Sequence, residues 1–238
     1  HLDKLQNINM HGKNKTICIA GKNQCAIDAL SFISKKFSNF KILALPNKSD
    51  SGLDGWQKSF KKFAKIKKIK ITSIKELYNI ENLYLFSLEY EDILKVSKFK
   101  SRKLFNLHFS LLPKYRGCHT NFFQIFYGEK MTGVTIHEID KGIDTGKIID
   151  SISFKIPINS TAYENYKKLL SKSVYLFKKN ISKILINNYS VKKQNLKRGS
   201  YFSRNSVDYQ KLIKINLLKH NISTHNKIRA LIFHPFQL

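Results

Sequence analysis

The chain has 238 residues, 42% of them apolar, and a formal net charge of +27 from 43 basic against 16 acidic side chains. That length and apolar fraction suit one domain of ordinary size with a smaller appendage, and no apolar run approaches the roughly 18 to 20 residues needed to cross a bilayer, so no membrane partner is expected. The charge invites a nucleic-acid reading, but Arg102, Arg116, Arg198, Arg204 and Arg229 are the only arginines and lysine is spread along the helices; a solvated basic surface is the expectation, with no specific nucleic-acid partner.

The opening, His1 to Lys15, is polar and lacks the apolar core of a secretory leader; it reads as an N-terminal extension or a remnant of processing. Thr16 to Ala20 is a short β-rich run, followed by a helical pattern through Ala26, Leu30 and Ile33 and a second β-rich run, Lys41 to Leu45. Between the first strand and its helix, Gly21-Lys22-Asn23 lacks the Gly-x-Gly-x-x-Gly spacing of dinucleotide sites, which disfavours a nicotinamide cofactor, although a helix entrance still offers backbone donors to phosphate. Trp56 to Ile66 predicts the next helix, with Trp56, Phe60, Phe63 and Ala64 on one face. Leu83 to Leu88 and Lys103 to His108 predict further strands, Ser110 to Gly117 a loop punctuated by Pro113 and Gly117, Thr120 to Tyr127 a helix, and Gly133 to Ile139 a strand ending in an Asp/Gly turn. Tyr163 to Ile186 predicts a long helix, and the polar stretch from Asn187 to Gly199 a connection to a small C-terminal unit.

This alternation predicts an α/β fold: a Rossmann-like, mainly parallel sheet with flanking helices and a site at the C-terminal strand ends, plus a small C-terminal subdomain. The expected division is an extension over 1–15, the main domain over 16–196 and the C-terminal subdomain over 197–238, which stops at Pro235-Phe236-Gln237-Leu238 in what reads as the middle of a motif. Cys18, Cys25 and Cys118 have neither metal-ligand spacing nor an even disulfide count, so no metal is expected, and the compartment is expected to be reducing and cytoplasmic.

The chemistry concentrates in three pieces. Asn106-Leu107-His108 places an amide and an imidazole at alternate positions of a strand, hence on one face. Gly133-Val134-Thr135-Ile136-His137 is a second strand, and Asp140-Lys141-Gly142-Ile143-Asp144-Thr145-Gly146 puts a carboxylate on the loop beyond it. An imidazole moves protons near neutral pH, an amide donates to developing negative charge, and a carboxylate orients the imidazole; acyl transfer to an amine needs all three. Each residue alone also has a plain reading: a satisfied strand histidine, a strand-end asparagine, an aspartate that holds its glycine-flanked loop.

Together, Asn106-x-His108, Ser110-Leu111-Leu112-Pro113, Tyr115-Arg116-Gly117, Gly133-Val134-Thr135 and Asp140-x-Gly142-Ile143-Asp144-Thr145-Gly146 closely resemble the folate-dependent formyltransferases, with Phe109 standing where many relatives carry proline. The resemblance implies Asn106, His108 and Asp144 as catalytic residues and Phe86, Leu88, Tyr90, Asp140 and Ile143 as residues of the folate pocket. In related glycinamide ribonucleotide formyltransferases the turn corresponding to Lys22 and Asn23 contacts substrate phosphate. The block from Pro46 through Asn47 and Lys48 to Trp56, Gln57 and Lys58 is similar to bacterial sugar N-formyltransferases, as is the tail around Gly199 to Arg204 and His225 to Ala230. There Trp56 either stacks on a pyrimidine or anchors its helix in the core, Lys48 and Lys58 either meet a pyrophosphate or face solvent, and Arg116 either binds phosphate or holds its loop. The resemblance therefore implies a sugar N-formyltransferase that uses 10-formyltetrahydrofolate as cosubstrate and a dTDP-linked amino-dideoxyhexose with a 4- or 3-amino group, works as a homodimer, and feeds a surface glycan such as the O-antigen of lipopolysaccharide. Two other readings stand beside it: a methionyl-tRNA formyltransferase, and a noncatalytic RNA-binding protein.

Overall fold

The structure is a computed structural model that describes residues 14–212, 214 and 221–234. In chain order the elements used below are β1 (Thr16–Gly21), α1 (Asn23–Lys36), β2 (Lys41–Pro46), α2 (Phe60–Ile66), β3 (Lys70–Ile71), α3 (Ile74–Tyr78), β4 (Leu83–Leu88), β5 (Lys103–His108), β6 (Arg116–Gly117), α4 (Thr120–Phe126), β7 (Met131–Glu138), β8 (Ile148–Lys155), α5 (Ala162–Leu185), β9 (Tyr201–Phe202), α6 (Tyr209–Leu212) and α7 (Ile222–Leu231).

Side chains on a strand alternate between the two faces of its sheet, and here both faces are buried. Ile17, Ile19, Ala44, Tyr84, Phe86, Phe105 and Leu107 face a core shared with α1, α2 and α5. Their neighbours Cys18, Ala20, Leu43, Leu45, Leu83, Leu85 and Leu104 face a second core closed by Leu77, Leu94 and Phe99. The two-sided burial explains why the first strands read as nearly continuous apolar runs. The sheet has seven strands in the order β3-β2-β1-β4-β5-β7-β8. It is parallel from β3 to β5, whereas β5 pairs antiparallel with β7 and β7 with β8. The strand order reverses between β1 and β4, which leaves the kind of crevice where open α/β sheets bind ligands.

The long helix α5 starts at a capping box, in which the Thr161 hydroxyl accepts from the Glu164 N–H and the Glu164 carboxylate accepts from the Thr161 N–H. It buries Leu169, Leu176, Phe177, Ile181 and Ile184 on the sheet. A small parallel pair, β6 with β9, carries the C-terminal segment: Phe202 stacks on Phe123 of α4 at 3.9 Å, in a cluster that also includes Tyr115, Ile156 and Ala230.

Three elements depart from the sequence expectation. The helix expected from Trp56 begins only at Phe60, because Ser59 caps it, accepting from the Lys62 N–H at 2.9 Å, while Asp50 and Asp54 bind Ser59 and Lys61 and fold residues 50–59 into a loop. The short β3–α3 unit was not apparent in the sequence. Nor was β8, an edge strand that pairs with β7 along its length and with Lys192 through Ile148.

Phe177 is fully buried and meets Phe86 edge-on at 5.2 Å, joining α5 to the sheet. Phe177→Ala is expected to cost about 3–5 kcal/mol of unfolding free energy through lost burial and the cavity left behind, read as a lower denaturant midpoint.

Candidate active site

The even-numbered side chains of β5 start in the second core with Leu104 and reach the strand end as Asn106 and His108. The antiparallel register sets His137 directly opposite Asn106 and Thr135 opposite His108. Thr135 ties the following loop to the sheet: its hydroxyl donates to the Ser110 carbonyl at 2.7 Å and accepts from the Leu112 N–H at 3.2 Å. That loop returns through β6, whose Gly117 N–H points at the site.

Asp144 is the hub. One oxygen accepts from the Asn106 amide at 3.1 Å and lies 3.4 Å from His137 Nε2. The other accepts from the Gly117 N–H at 2.8 Å and lies 3.4 Å from His108 Nδ1. Burial alone would raise this carboxyl. When His108 and His137 are protonated, their charges and the hydrogen bond from His137, together with the Gly117 N–H, outweigh that and hold it well below the usual carboxylate range, so Asp144 is ionised. Its own backbone is left-handed (φ 53°), and the Gln194 amide donates to its carbonyl at 2.9 Å and to that of Gly146 at 2.6 Å.

Two glycines make this approach possible. A Cβ on Gly117, which has φ 90°, would stand 2.1 Å from the Phe202 carbonyl oxygen, and one on Gly146 would stand 1.7 Å from that of Glu138. The second imidazole, His108, faces the Tyr115 carbonyl with Nε2 at 2.6 Å. That contact places the Nε2 proton and leaves Nδ1 toward Asp144. His137 Nδ1 meets the Glu138 carbonyl at 2.8 Å, so its Nε2 accepts from the Asn106 amide at 3.2 Å. The site therefore holds Asn106, His108 and Asp144 together and adds His137, Gly117 and Gln194, to which no role was attached in the sequence.

The remaining candidate residues fall into two groups. Phe86 and Leu88 are fully buried, Phe86 between Phe105 and Phe177, so their side chains belong to the core. Tyr90, half-buried, packs against the second core, and Asp140 uses its carboxylate within its own loop, accepting from Gly142 N–H and the Thr145 hydroxyl. Ile143 is 36% exposed beside Asp144. Lys48 is an exposed side chain paired with Asp92 at 2.9 Å, and Arg116 is half-buried with a buried Nε that has no hydrogen-bond partner among the described residues. Asn47 is buried and bridges backbone atoms of Glu89 and Glu91. Asn23, Trp56 and Lys58 come together in one cavity of about 180 Å³, closed on the far side by Tyr163, Tyr166 and Lys167 of α5. Lys22 occupies the N-cap position of α1 next to it, without a capping bond from its side chain. Trp56 is 44% exposed and so does not anchor the core. Asn23, in contrast, is buried and committed internally: its amide donates to Glu89 and to the Tyr166 hydroxyl, and its carbonyl oxygen accepts from the Cys25 N–H.

Among the described residues no group of His, Cys, Asp and Glu side chains has the geometry to hold a metal, and no helix is long and apolar enough to cross a membrane. Burial pushes the Cys18 and Cys25 thiols up, which leaves both poor nucleophiles.

A family model for formyl transferase matches residues 93–181, which include the whole hub. Among solved structures, the sugar 3N-formyl transferase WlaRD, crystallised with dTDP and 5-N-formyl-THF, is 48% identical with a TM-score of 0.89, over 95% of this chain and 82% of that one. An N-formyltransferase from Helicobacter canadensis, in complex with folinic acid and dTDP-3-aminofucose, is 47% identical with a TM-score of 0.87, over 92% of this chain and 81% of that one. The bifunctional polymyxin resistance protein ArnA of Wigglesworthia glossinidia brevipalpis is 42% identical over 154 residues, 64% of this chain but only 22% of its own length. The chain thus spans less than a quarter of that curated relative.

Two outcomes follow from the hub. Because the folded value of Asp144 lies below its unfolded value of about 3.9, its ionised form stabilises the fold above that pH, and the contribution is lost as pH falls through the folded value. Acid titrations below about pH 4 should therefore show a shallower loss of stability in Asp144→Asn than in the parent protein. Gly146→Ala should displace the loop 140–146, leaving a folded protein by circular dichroism with activity reduced at least tenfold.

Proposed function

Since the chain belongs to the formyl transferase family, and within it to the sugar N-formyltransferases, we propose that it transfers a formyl group from 10-formyltetrahydrofolate to the 3-amino group of a dTDP-linked amino-dideoxyhexose. The single observation that carries the reading is the hub itself, an ionised buried carboxylate touching an amide and two imidazoles at a strand end. The likeness to two enzymes crystallised with dTDP or dTDP-3-aminofucose supports the substrate class and favours the 3-amino over the 4-amino sugar.

When bound, the folate donor supplies an activated formyl carbon. In this reading Tyr90, just beyond β4, and the exposed Ile143, next to Asp144, would pack on the donor's flat ring. The neutral sugar amine attacks the formyl carbon, forming the new C–N bond as the bond from carbon to folate N10 breaks. Asn106 keeps one amide N–H on Asp144 and turns the other, now on His137, to the formyl oxygen as negative charge develops there. His108 receives the amine proton at Nδ1, where Asp144 stabilises the imidazolium, and returns it to folate N10. The nucleotide lies in the cavity beside this centre, with Trp56 against the pyrimidine and Lys58 and Lys167 near the diphosphate. Phe109, directly after His108, contacts Tyr166 on the cavity wall and so adjoins the two sites. A homodimer, a cytoplasmic location and a product destined for a surface glycan are parts of the same proposal.

A panel assay tests it. With 10-formyltetrahydrofolate, dTDP-3-amino-3,6-dideoxyhexoses should be formylated, and charged initiator tRNA should not. Acceptance of the tRNA with refusal of every amino sugar would remove the substrate assignment and leave the chemistry. His108→Asn should lower kcat with the preferred sugar by about a hundredfold to ten-thousandfold, the usual contribution of a general acid–base group.

A further inference from the structure

Tyr166 stands where four parts of the molecule meet. It is 6% exposed, and its hydroxyl is saturated: it donates to the Glu89 carboxylate at 2.8 Å and accepts from the Asn23 amide at 2.9 Å and the Gln57 amide at 2.7 Å. Its ring lies 6.1 Å from Phe109, 6.4 Å from Trp56 and 5.4 Å from Phe233. The preceding residue, Asn165, donates to the Gln124 side chain at 3.0 Å, and Gln124 in turn donates to the Phe109 carbonyl at 2.8 Å. Two consecutive residues of α5 thus grip the residue after His108, one by its ring and one through its carbonyl.

The bond to Gln57 matters most for binding. Residues 50–59 form a loop held at its base by Asp50 and Asp54, and Trp56 and Lys58, which flank Gln57, are both exposed. The Gln57–Tyr166 bond crosses from this loop to α5 and fixes the distance between the cavity's two walls. Burial and the neighbouring Glu89 charge push the Tyr166 hydroxyl well above its ordinary value, so it stays protonated and keeps donating.

We propose that Tyr166 is a positioning residue for the nucleotide sugar: through Gln57 it holds the Trp56–Lys58 wall at the spacing that the nucleoside diphosphate needs, and so sets substrate affinity without taking part in formyl transfer. The inference rests on the cavity being the nucleotide site. Its action is indirect, because the hydroxyl has no capacity left for a ligand.

Trp56 is the only tryptophan of the chain, so intrinsic fluorescence reports this wall directly. The test titrates dTDP into the parent protein, Tyr166→Phe, Gln57→Leu and the double variant, and pairs each titration with steady-state kinetics. Each single change should weaken dTDP about tenfold and raise the KM for the amino sugar similarly, with kcat within about twofold and the folate KM unchanged. The double variant should be no worse than either single one, since both remove the same bond. A purely structural tyrosine would instead lower thermal stability and active fraction with no split between KM and kcat. That result, or effects of the two substitutions that add, or dTDP binding unchanged in both variants, overturns the inference. If dTDP leaves the fluorescence of the parent protein unaltered, the nucleotide is not in this cavity and the inference falls with that assignment, while formyl transfer to the sugar remains measurable on its own.

Discussion

A carboxylate taken out of water must be paired, and the structure around the active site is organised to pair Asp144. A lone ionised carboxyl in such a place would cost several kcal/mol or take up a proton. Here the Gly117 N–H, the Asn106 amide and two imidazoles surround it from three separate stretches of chain. Removing any one stretch leaves the charge undersatisfied, so the demands of stability and of chemistry fall on the same atoms. The glycines serve this convergence: Gly117 lies against β9, and Gly146 lies against β7 where the carboxylate turns inward.

The register between β5 and β7 is what brings the pieces together. Running antiparallel, β7 ends beside the start of β5, its His137 faces Asn106, and the next residues fold back over the strand. The parallel half of the sheet has another task. Its switch between β1 and β4 opens beside Asn23 and Glu89, where α5 closes a cavity with the loop that carries Trp56. One half of the sheet thus supports the proton chemistry and the other the substrate, with Phe109 and Tyr166 in contact at the join.

Much of this was legible in the sequence, for identifiable reasons. Strands buried on both faces announce themselves as apolar runs, and Asn106, His108 and Asp144 belong to a dense, ordered motif. His137 was visible in the same motif but carried no role, because the periodicity of one strand says nothing about which residue of the next lies opposite; cross-strand register decides that. Trp56 looked helical since its spacing to Phe60 and Phe63 fits an apolar face, yet Asp50, Asp54 and Ser59 bind the backbone locally and delay the start of the helix to Phe60. Phe86 and Leu88 have the composition of pocket walls and the burial of a core. The side-chain bonds of Asn23 and Tyr166 join residues 143 positions apart, beyond the reach of any local pattern.

The central claim is that the groups on Asp144 act on the reacting atoms rather than on substrate affinity. Single-turnover kinetics with both substrates already bound to enzyme in excess tests this most directly, because binding and product release then drop out of the rate. For Asn106→Ala and Asp144→Asn, with dTDP-sugar and folate affinities close to those of the parent protein, the account predicts a formyl-transfer step slowed by about a hundredfold or more. A transfer step at the parent rate in both folded variants would contradict it.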